Sequence, residues 1–451
     1  MFRYDEGMTD LILSACRERL SLEPVPLDYG GLVESLHAEL AGLIGAGGHD
    51  AKEVLTLFVD KLATAVISCD SPRFLSFIPA APTKASLLFD MFVSCSSLHG
   101  TSWLEAAGVV VAENQALGVL AARAGFPPEA GGCFVAGGSA GNLSALMVAR
   151  DTAGYRRRSD PPARPLVALN EDAHSSVGKA LHVLDIEPFL VPTPDHRLTA
   201  DALDAALRAD ASRAADVIGV VATAGTTNAG IVDDLDGVAD VAAERALWFH
   251  IDGAYGGAAA LFASSTRNQF AGFGRADSFI VDPHKWLFAP FDCAALIYRR
   301  PNLAKAVHTQ DASYLDVLHT ESPEEWNPSD YAFHLTRRAR GLPLWFSMAV
   351  NGLDAYRDGI EAGLAMARQV ADRIAQTPHT ELVRDPGLSI VLFRRPGWNK
   401  RDYDSWSAHI LAEQIGLVTP TTWEGETVAR FCFLHPETTI GMVDEILSSM
   451  A

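Results

Sequence analysis

The sequence is poor in cysteine. Only Cys16, Cys69, Cys95, Cys133, Cys293 and Cys432 occur in 451 residues, and no two are spaced as CxxC. That argues against a thiolate zinc site and against a disulfide framework, and no metal is expected. Positive charge is also scarce: 36 Lys and Arg against 56 Asp and Glu give a formal net charge of −20. Duplex nucleic acid and anionic membrane surfaces would be repelled, so neither is expected as a partner, and the acidity also serves solubility. No uncharged apolar run reaches the roughly 18 residues that a membrane span needs. The opening MFRYDEGMTDLILSACRERL has acids where an export signal needs bases and an apolar stretch, so the expected compartment is the cytoplasm.

What is present is ample apolar content, 48 %, enough for more than one core. Two amphipathic helices are expected near the start, Met8–Leu20 and Leu32–Gly47, the second stopped by glycines. Such an arm cannot bury its apolar face alone, and it points to association with another subunit or the main body. From Gly131 short apolar runs alternate with helical stretches. GGCFV, PLVAL, DVIGVVAT, LWFHID, DSFIVD and CAALIY read as buried strands, and Thr199–Asp210 and Gly237–Ala246 as crossover helices. So few polar positions within the strands indicate a mostly parallel sheet covered on both faces, an α/β architecture. After Pro343 a long helix, the strands LSIVLF and VARFCF and the helix SWSAHILAEQIG form a small α+β domain. The expected division is a helical arm over 1–70, a large domain over 71–340 and a small domain over 341–451. The polar, weakly periodic stretch Asp311–Ser329 reads as a mobile loop.

In a sheet of this kind, ligands gather beyond the carboxyl ends of the strands, and four polar segments fall there. In SFIVDPHKWLFAPFD, Lys285 is framed by Phe279, Trp286, Leu287 and Phe288. Desolvation there lowers a lysine's pKa and frees its amine for a carbonyl; alternatively its stem lies along apolar surface with the amine in water. In LWFHIDGAYGG, Asp252 suits a cationic ligand or caps the next turn. Against a pyridinium nitrogen at about 3 Å, in an effective dielectric near 20, its attraction is about 5 kcal/mol before desolvation. In VAGGSAGNLSALMVAR, glycines precede a helix whose free N–H groups suit a phosphate, although the spacing is neither a dinucleotide fingerprint nor a Walker loop; a plain turn is the alternative. In NEDAHSSVGKA, His174 can stack on a flat ring or cap the next helix.

Taken together and in this order, the four segments resemble the group II pyridoxal 5′-phosphate (PLP) dependent amino-acid decarboxylases, which include the aromatic-L-amino-acid, histidine and glutamate decarboxylases. The resemblance runs over roughly residues 70–345. It implies the aspartate-aminotransferase-like fold type I and a Schiff base between PLP and Lys285 in DPHKW. It implies Asp252 at the ring nitrogen, Ala254 under the ring and His174 stacked on it, so that Lys285, His174 and Asp252 are the catalytic residues. Gly138 and Ser139 take the phosphate role, Thr227 lies near the cofactor, and Asp282 and His284 flank the linkage. SPRFLSFIPA is similar to the family's substrate loop and puts Phe77, Ile78 and Pro79 beside the amino-acid side chain, with His99 and Thr101 of HGTSW in the same pocket. A homodimer with shared active sites is implied as well.

The implied reaction is decarboxylation of an L-amino acid, with an aromatic one slightly preferred. The pocket holds the Cα–carboxylate bond perpendicular to the ring, so that this bond is the one that breaks. Of two departures from the family pattern, the first keeps other outcomes on the same scaffold open, such as oxidative deamination to an aldehyde or aldol cleavage, and the second weakens the aromatic preference. The register places no tyrosine at the family's proton-donating loop position, where Tyr314, Trp326 and Tyr331 lie nearby, and His99 and Thr101 stand where bulkier residues suit an aromatic substrate. A PLP-free binding protein on this fold is the third reading.

Overall fold

The computed structural model describes residues 2–28, 33–79, 81–154, 164–318 and 325–451. They divide into two compact units, Ile78–Arg368 with Asp385–Val391, and Met1–Phe77 with Gln369–Arg384 and Leu392–Ala451.

The larger unit is built on seven strands: β1 (Gly131–Val135), β2 (Leu166–Leu169), β3 (Glu187–Leu190), β4 (Val217–Thr223), β5 (Trp248–Asp252), β6 (Ser278–Val281) and β7 (Ala294–Tyr298). Their spatial order is β1-β7-β6-β5-β4-β2-β3. The pairs from β6 to β3 are parallel, while β7 runs antiparallel to both β6 and β1. Every residue of β2, β4, β5, β6 and β7 is buried, as a sheet covered on both faces requires. This is the mostly parallel α/β sheet that the apolar runs imply. β3 was not expected from the sequence: only Phe189 of its four residues is buried, so this edge strand has too little apolar pattern to read.

The helix Gly138–Thr152 serves two cores. Leu146 joins Val167, Val177, Leu181 and Val221, while Ala145, Val148 and Ala149 join Val135, Ile280, Leu296 and Tyr298. The helix Trp103–Arg123 is long and apolar enough to cross a membrane by length and composition alone. Val110, Leu117 and Leu120 are nevertheless buried within this unit, and so is Glu113, which meets the equally buried Arg337 at 2.7 Å. Arg337 also donates to the carbonyls of Gly100 and Phe134. A buried pair of this kind needs such extra bonds to offset its desolvation.

The smaller unit carries the helices Glu6–Leu20, Val33–Glu39 and Ala51–Leu57 and the sheet order β10-β11-β9-β8, with β8 (Glu381–Leu382), β9 (Ile390–Arg394, of which Leu392–Arg394 belong to this unit), β10 (Pro420–Trp423) and β11 (Glu426–Cys432). The second helix, expected to run to Gly47, stops at Glu39. Gly42 has φ +77°, a left-handed conformation that no helix continues through. The long helix Leu342–Gln376 is likewise broken at Gly352, with φ +75°. Of the stretch Asp311–Ser329, residues 319–324 lie outside the described residues; the rest holds two short 3₁₀ turns, Ser313–Leu318 and Pro328–Asp330.

Candidate active site

The site is assembled at the carboxyl ends of the parallel strands. After β1 the chain turns through Gly137, whose φ of +147° favours glycine, into the helix Gly138–Thr152, and no side chain caps its first turn. The uncapped N–H groups and the helix dipole form an anion site. The turn is close-packed from behind. A Cβ on Gly138 would lie 3.1 Å from each carboxylate oxygen of Asp282 and 3.0 Å from Ile280 Cδ1, so any larger residue there needs those side chains to give by a few tenths of an ångström.

One turn further along, Asn142 is fully buried and donates from Nδ2 to Asp252 Oδ2 at 3.0 Å and to Ser176 Oγ at 3.1 Å. Asp252 is the last residue of β5, and its other oxygen accepts from Ala254 N at 3.1 Å. It therefore also caps its own turn, which is the plainer of the two roles expected for this aspartate. His174 behaves similarly. Its Nδ1 accepts from Ser176 N at 3.2 Å at the start of the helix Ser175–Val183 and lies 2.8 Å from Ser176 Oγ. That cap fixes the plane of an otherwise exposed ring.

Lys285 sits on the connection between β6 and β7. Its Nζ lies 3.0 Å from Asp282 Oδ2, with the lysine side chain 21 % exposed and the aspartate 3 %. Trp286 and Leu287, which follow it, are completely buried, and Trp286 stacks on Tyr255 at 5.2 Å. His284 Nε2 is 3.6 Å from the same carboxylate oxygen, and its Nδ1 accepts from Cys293 N at 3.0 Å. Burial holds the His284 imidazole below its usual range, with Asp282 opposing and Lys285 assisting.

Gly138, Ser139, His174, Asp252, Ala254, Asp282, His284 and Lys285 all line one cavity of about 520 Å³, together with Ala136, Gly137, Ala140, Asn142 and Ser176. Other predicted residues do not line it. Thr227 is half-buried in the turn after β4. Thr101 is buried and its carbonyl accepts from Ser329 N, while His99 is half-buried and bridges to Arg338. Ile78 is buried and Pro79 half-buried, whereas Phe77, in the smaller unit, is exposed with φ +54°. A larger hollow of about 900 Å³ opens at the amino ends of β4 and β5. It is lined largely by alanines and other apolar residues and by arginines paired to carboxylates, Arg245 to Asp204, Arg275 to Asp236 and Arg300 to Asp277.

Sequence reasoning missed Asn142, Ser176, His250 and Ser278. Asn142 stands in the quoted phosphate segment, but its partner Asp252 is 110 residues away, and only the fold joins them. The cavity offers an uncapped helix start for a phosphate, a lysine amine for an aldehyde and a carboxylate for a protonated ring nitrogen. Asp282 Oδ1 is also buried there without a hydrogen-bond partner. This donor set fits PLP.

The family model of the pyridoxal-dependent decarboxylase conserved domain matches residues 47–395. The aromatic-L-amino-acid decarboxylase of Bacillus atrophaeus is 30 % identical over 426 residues, covering 92 % of this chain and 87 % of its own. The L-2,4-diaminobutyrate decarboxylase of Rhizobium meliloti (strain 1021) is 29 % identical, covering 84 % and 77 %. Among solved structures, tryptophan decarboxylase of Catharanthus roseus in complex with L-tryptophan superposes with a TM-score of 0.89 at 19 % identity, covering 100 % of this chain and 99 % of its own. The Oryza sativa TDC with PLP and tryptamine gives 0.87 at 24 %, covering 98 % and 97 %. These two likenesses establish the fold, type I of the PLP enzymes. The chain therefore belongs to the pyridoxal-dependent decarboxylase family and is a PLP-dependent amino-acid carboxy-lyase.

Proposed function

We propose that this enzyme converts an aromatic L-amino acid to its amine and CO₂, as a homodimer whose active sites draw on both copies. The observation that carries the reading is the convergence of Lys285, Asp252, His174 and the Gly138 helix start on one cavity. PLP, when bound, supplies an aldehyde for the substrate amine and a ring that accepts the electron pair left as CO₂ departs.

The chain's own residues set the rest. Lys285 Nζ is the amine to hold the aldehyde, and Asp282 Oδ2 at 3.0 Å steadies Nζ as an ammonium whenever the lysine is displaced. The first turn of the helix, through Gly138 and Ser139, takes the phosphate. Asp252 would pair with the ring nitrogen, His174 and Ala254 would hold the ring, and Asp282 and His284 would flank the group, with Thr227 near it but outside the cavity lining. Phe77, Ile78, Pro79, His99 and Thr101, none of which lines the cavity of its own chain, would meet the substrate side chain in the cavity of a second copy. The aromatic preference is supported by the names of the relatives, aromatic-L-amino-acid decarboxylase and tryptophan decarboxylase. Association is supported by the helix Glu6–Leu20, which buries none of its residues in its own chain and exposes Met8, Ile12 and Leu13.

The test is a screen of the purified, PLP-loaded enzyme against the common L-amino acids and L-2,4-diaminobutyrate, measuring CO₂, amine, ammonia and peroxide together. CO₂ and amine should appear one to one, with the highest kcat/KM on an aromatic substrate. Ammonia and peroxide in place of amine would overturn the amine product. A preference for diaminobutyrate would overturn the aromatic substrate.

A further inference from the structure

Behind Asp252 runs a chain of four hydrogen bonds whose proton positions can be deduced. The indole N–H of Trp248 can only donate, and it does so to Ser278 Oγ at 3.0 Å. Ser278 Oγ lies 2.8 Å from His250 Nδ1, and His250 Nε2 lies 2.9 Å from Asn142 Oδ1. The amide oxygen can only accept, so His250 carries a proton on Nε2, and because burial keeps the ring neutral, Nδ1 is left to accept from the Ser278 hydroxyl. This is the neutral imidazole, and burial pushes His250 down to about 4. Asn142 Nδ2 then faces Asp252 Oδ2, which accepts at 3.0 Å. All four donors point the same way, from an indole that cannot accept to a carboxylate that cannot donate. His250, Ser278 and Asn142 are completely buried, so no water competes.

We propose that Asn142 is a positioning residue for the reaction. Its amide, locked in orientation by His250, holds the Asp252 carboxylate toward the ring nitrogen of the bound cofactor and thereby keeps that nitrogen protonated. The proposal rests on the reading that Asp252 meets the ring nitrogen. Leucine at 142 keeps the branched shape, is bulkier and donates nothing, which leaves Asp252 Oδ2 and His250 Nε2 without their partner.

The experiment loads the full-length enzyme with PLP carrying nitrogen-15 in the ring and reads the ring-nitrogen NMR signal together with steady-state kinetics. In Asn142→Leu the signal should move from the protonated toward the unprotonated position, and kcat should fall about tenfold or more while KM changes less than about twofold. Asn142→Ala is read in the same way if the leucine variant does not fold. His250→Gln, which can still donate to the Asn142 oxygen, should keep most of the parent signal. A folded, loaded Asn142 variant with the parent signal and kcat would overturn the proposal. Asp252→Asn separates the two layers. If it shifts the signal and the Asn142 variants do not, only the positioning role fails; if it leaves the signal unchanged, Asp252 does not act on the ring nitrogen and both readings fail.

Discussion

A lysine amine 3.0 Å from a 3 %-exposed carboxylate has two duties, and its removal should disturb both. Lys285→Ala should abolish the visible absorption of a covalently held cofactor and lower kcat/KM by roughly 10³-fold or more. It should also leave Asp282 uncompensated, since its Oδ1 already lacks a partner, and cost about 1–3 kcal/mol in a urea titration of the cofactor-free protein. Retention of the visible band would place the anchor elsewhere. A second prediction concerns buried imidazoles. His250 and His308 are both pushed down to about 4 by burial, against about 6.5 in an unfolded chain. Between those values the unfolded state binds the additional proton, so each contribution, on the order of 3 kcal/mol, is intact above about pH 6.5 and lost as pH falls toward 4. Asp233, pushed up to about 7 by burial, titrates in the opposite sense, so the informative measurement is a difference. The urea midpoint of His250→Gln should depend less on pH between 4 and 6.5 than that of the parent; equal slopes would show that His250 does not titrate on unfolding. Most residues that touch the cavity were legible in the sequence because they follow strand ends, next to an abrupt change from apolar to polar; Asn142 and Ser176 touch it too but sit inside helices and did not stand out. The residues behind them were not legible either: His250 and Ser278 lie inside strands, where a buried polar residue reads as an irregularity until its partner on another element is known.

At the scale of an element, the site depends on how closely the helix Gly138–Thr152 and β1 approach the rest of the sheet. Gly132 pairs with Ile297 across the antiparallel β1–β7 ladder, and a Cβ there would fall 1.9 Å from the Leu296 carbonyl oxygen. Gly141 is tight for a different reason, its Cβ falling 2.6 Å from Ile280 Cγ2. Gly132→Ala should cost about 1–3 kcal/mol by urea titration, because backbone rather than a side chain must move. Gly178, exposed in the helix Ser175–Val183 with nothing within 4 Å of its Cβ, is the control. Gly178→Ala should be neutral or stabilise by up to about 1 kcal/mol, through the entropy of the unfolded chain and the better helix former. Equal effects at the two positions would show that the close approach does not set the cost. This scale also marks where sequence reading gave out. Runs buried on both faces, such as VIGVVAT, announced themselves, whereas EPFL at the sheet edge and PTTW in β10 bury too few residues to stand out. The helix after Val33 was read too long because its apolar period persists past Glu39, while the turn at Gly42 depends on a backbone conformation that periodicity does not report.

For the whole molecule, the position of His99 and Thr101 turns the homodimer from an expectation into something measurable. Both belong to the larger unit, yet neither lines the cavity that holds Lys285 in the same chain. If they act on substrate, they reach the cavity of a second copy, and each site then needs Lys285 from one chain and His99 and Thr101 from the other. Two crippled chains can therefore repair each other. A chain with Lys285→Ala and a chain with both His99→Ala and Thr101→Ala should each be impaired as pure species. Co-expressed with distinct tags and isolated as the mixed dimer, they contain one site with both substitutions and one with neither, so about half of the parent activity should return. If the polar pair served the cavity of its own chain, each site of the mixed dimer would carry one defect, and activity would stay at the average of the two pure variants. The same preparation checks the oligomer directly: a molar mass of one chain by light scattering at assay concentration, with full activity, would show that a single copy completes the site. A net charge of −20 makes low ionic strength the stringent condition, because like-charged copies repel most there and only a well-buried apolar contact would hold them together.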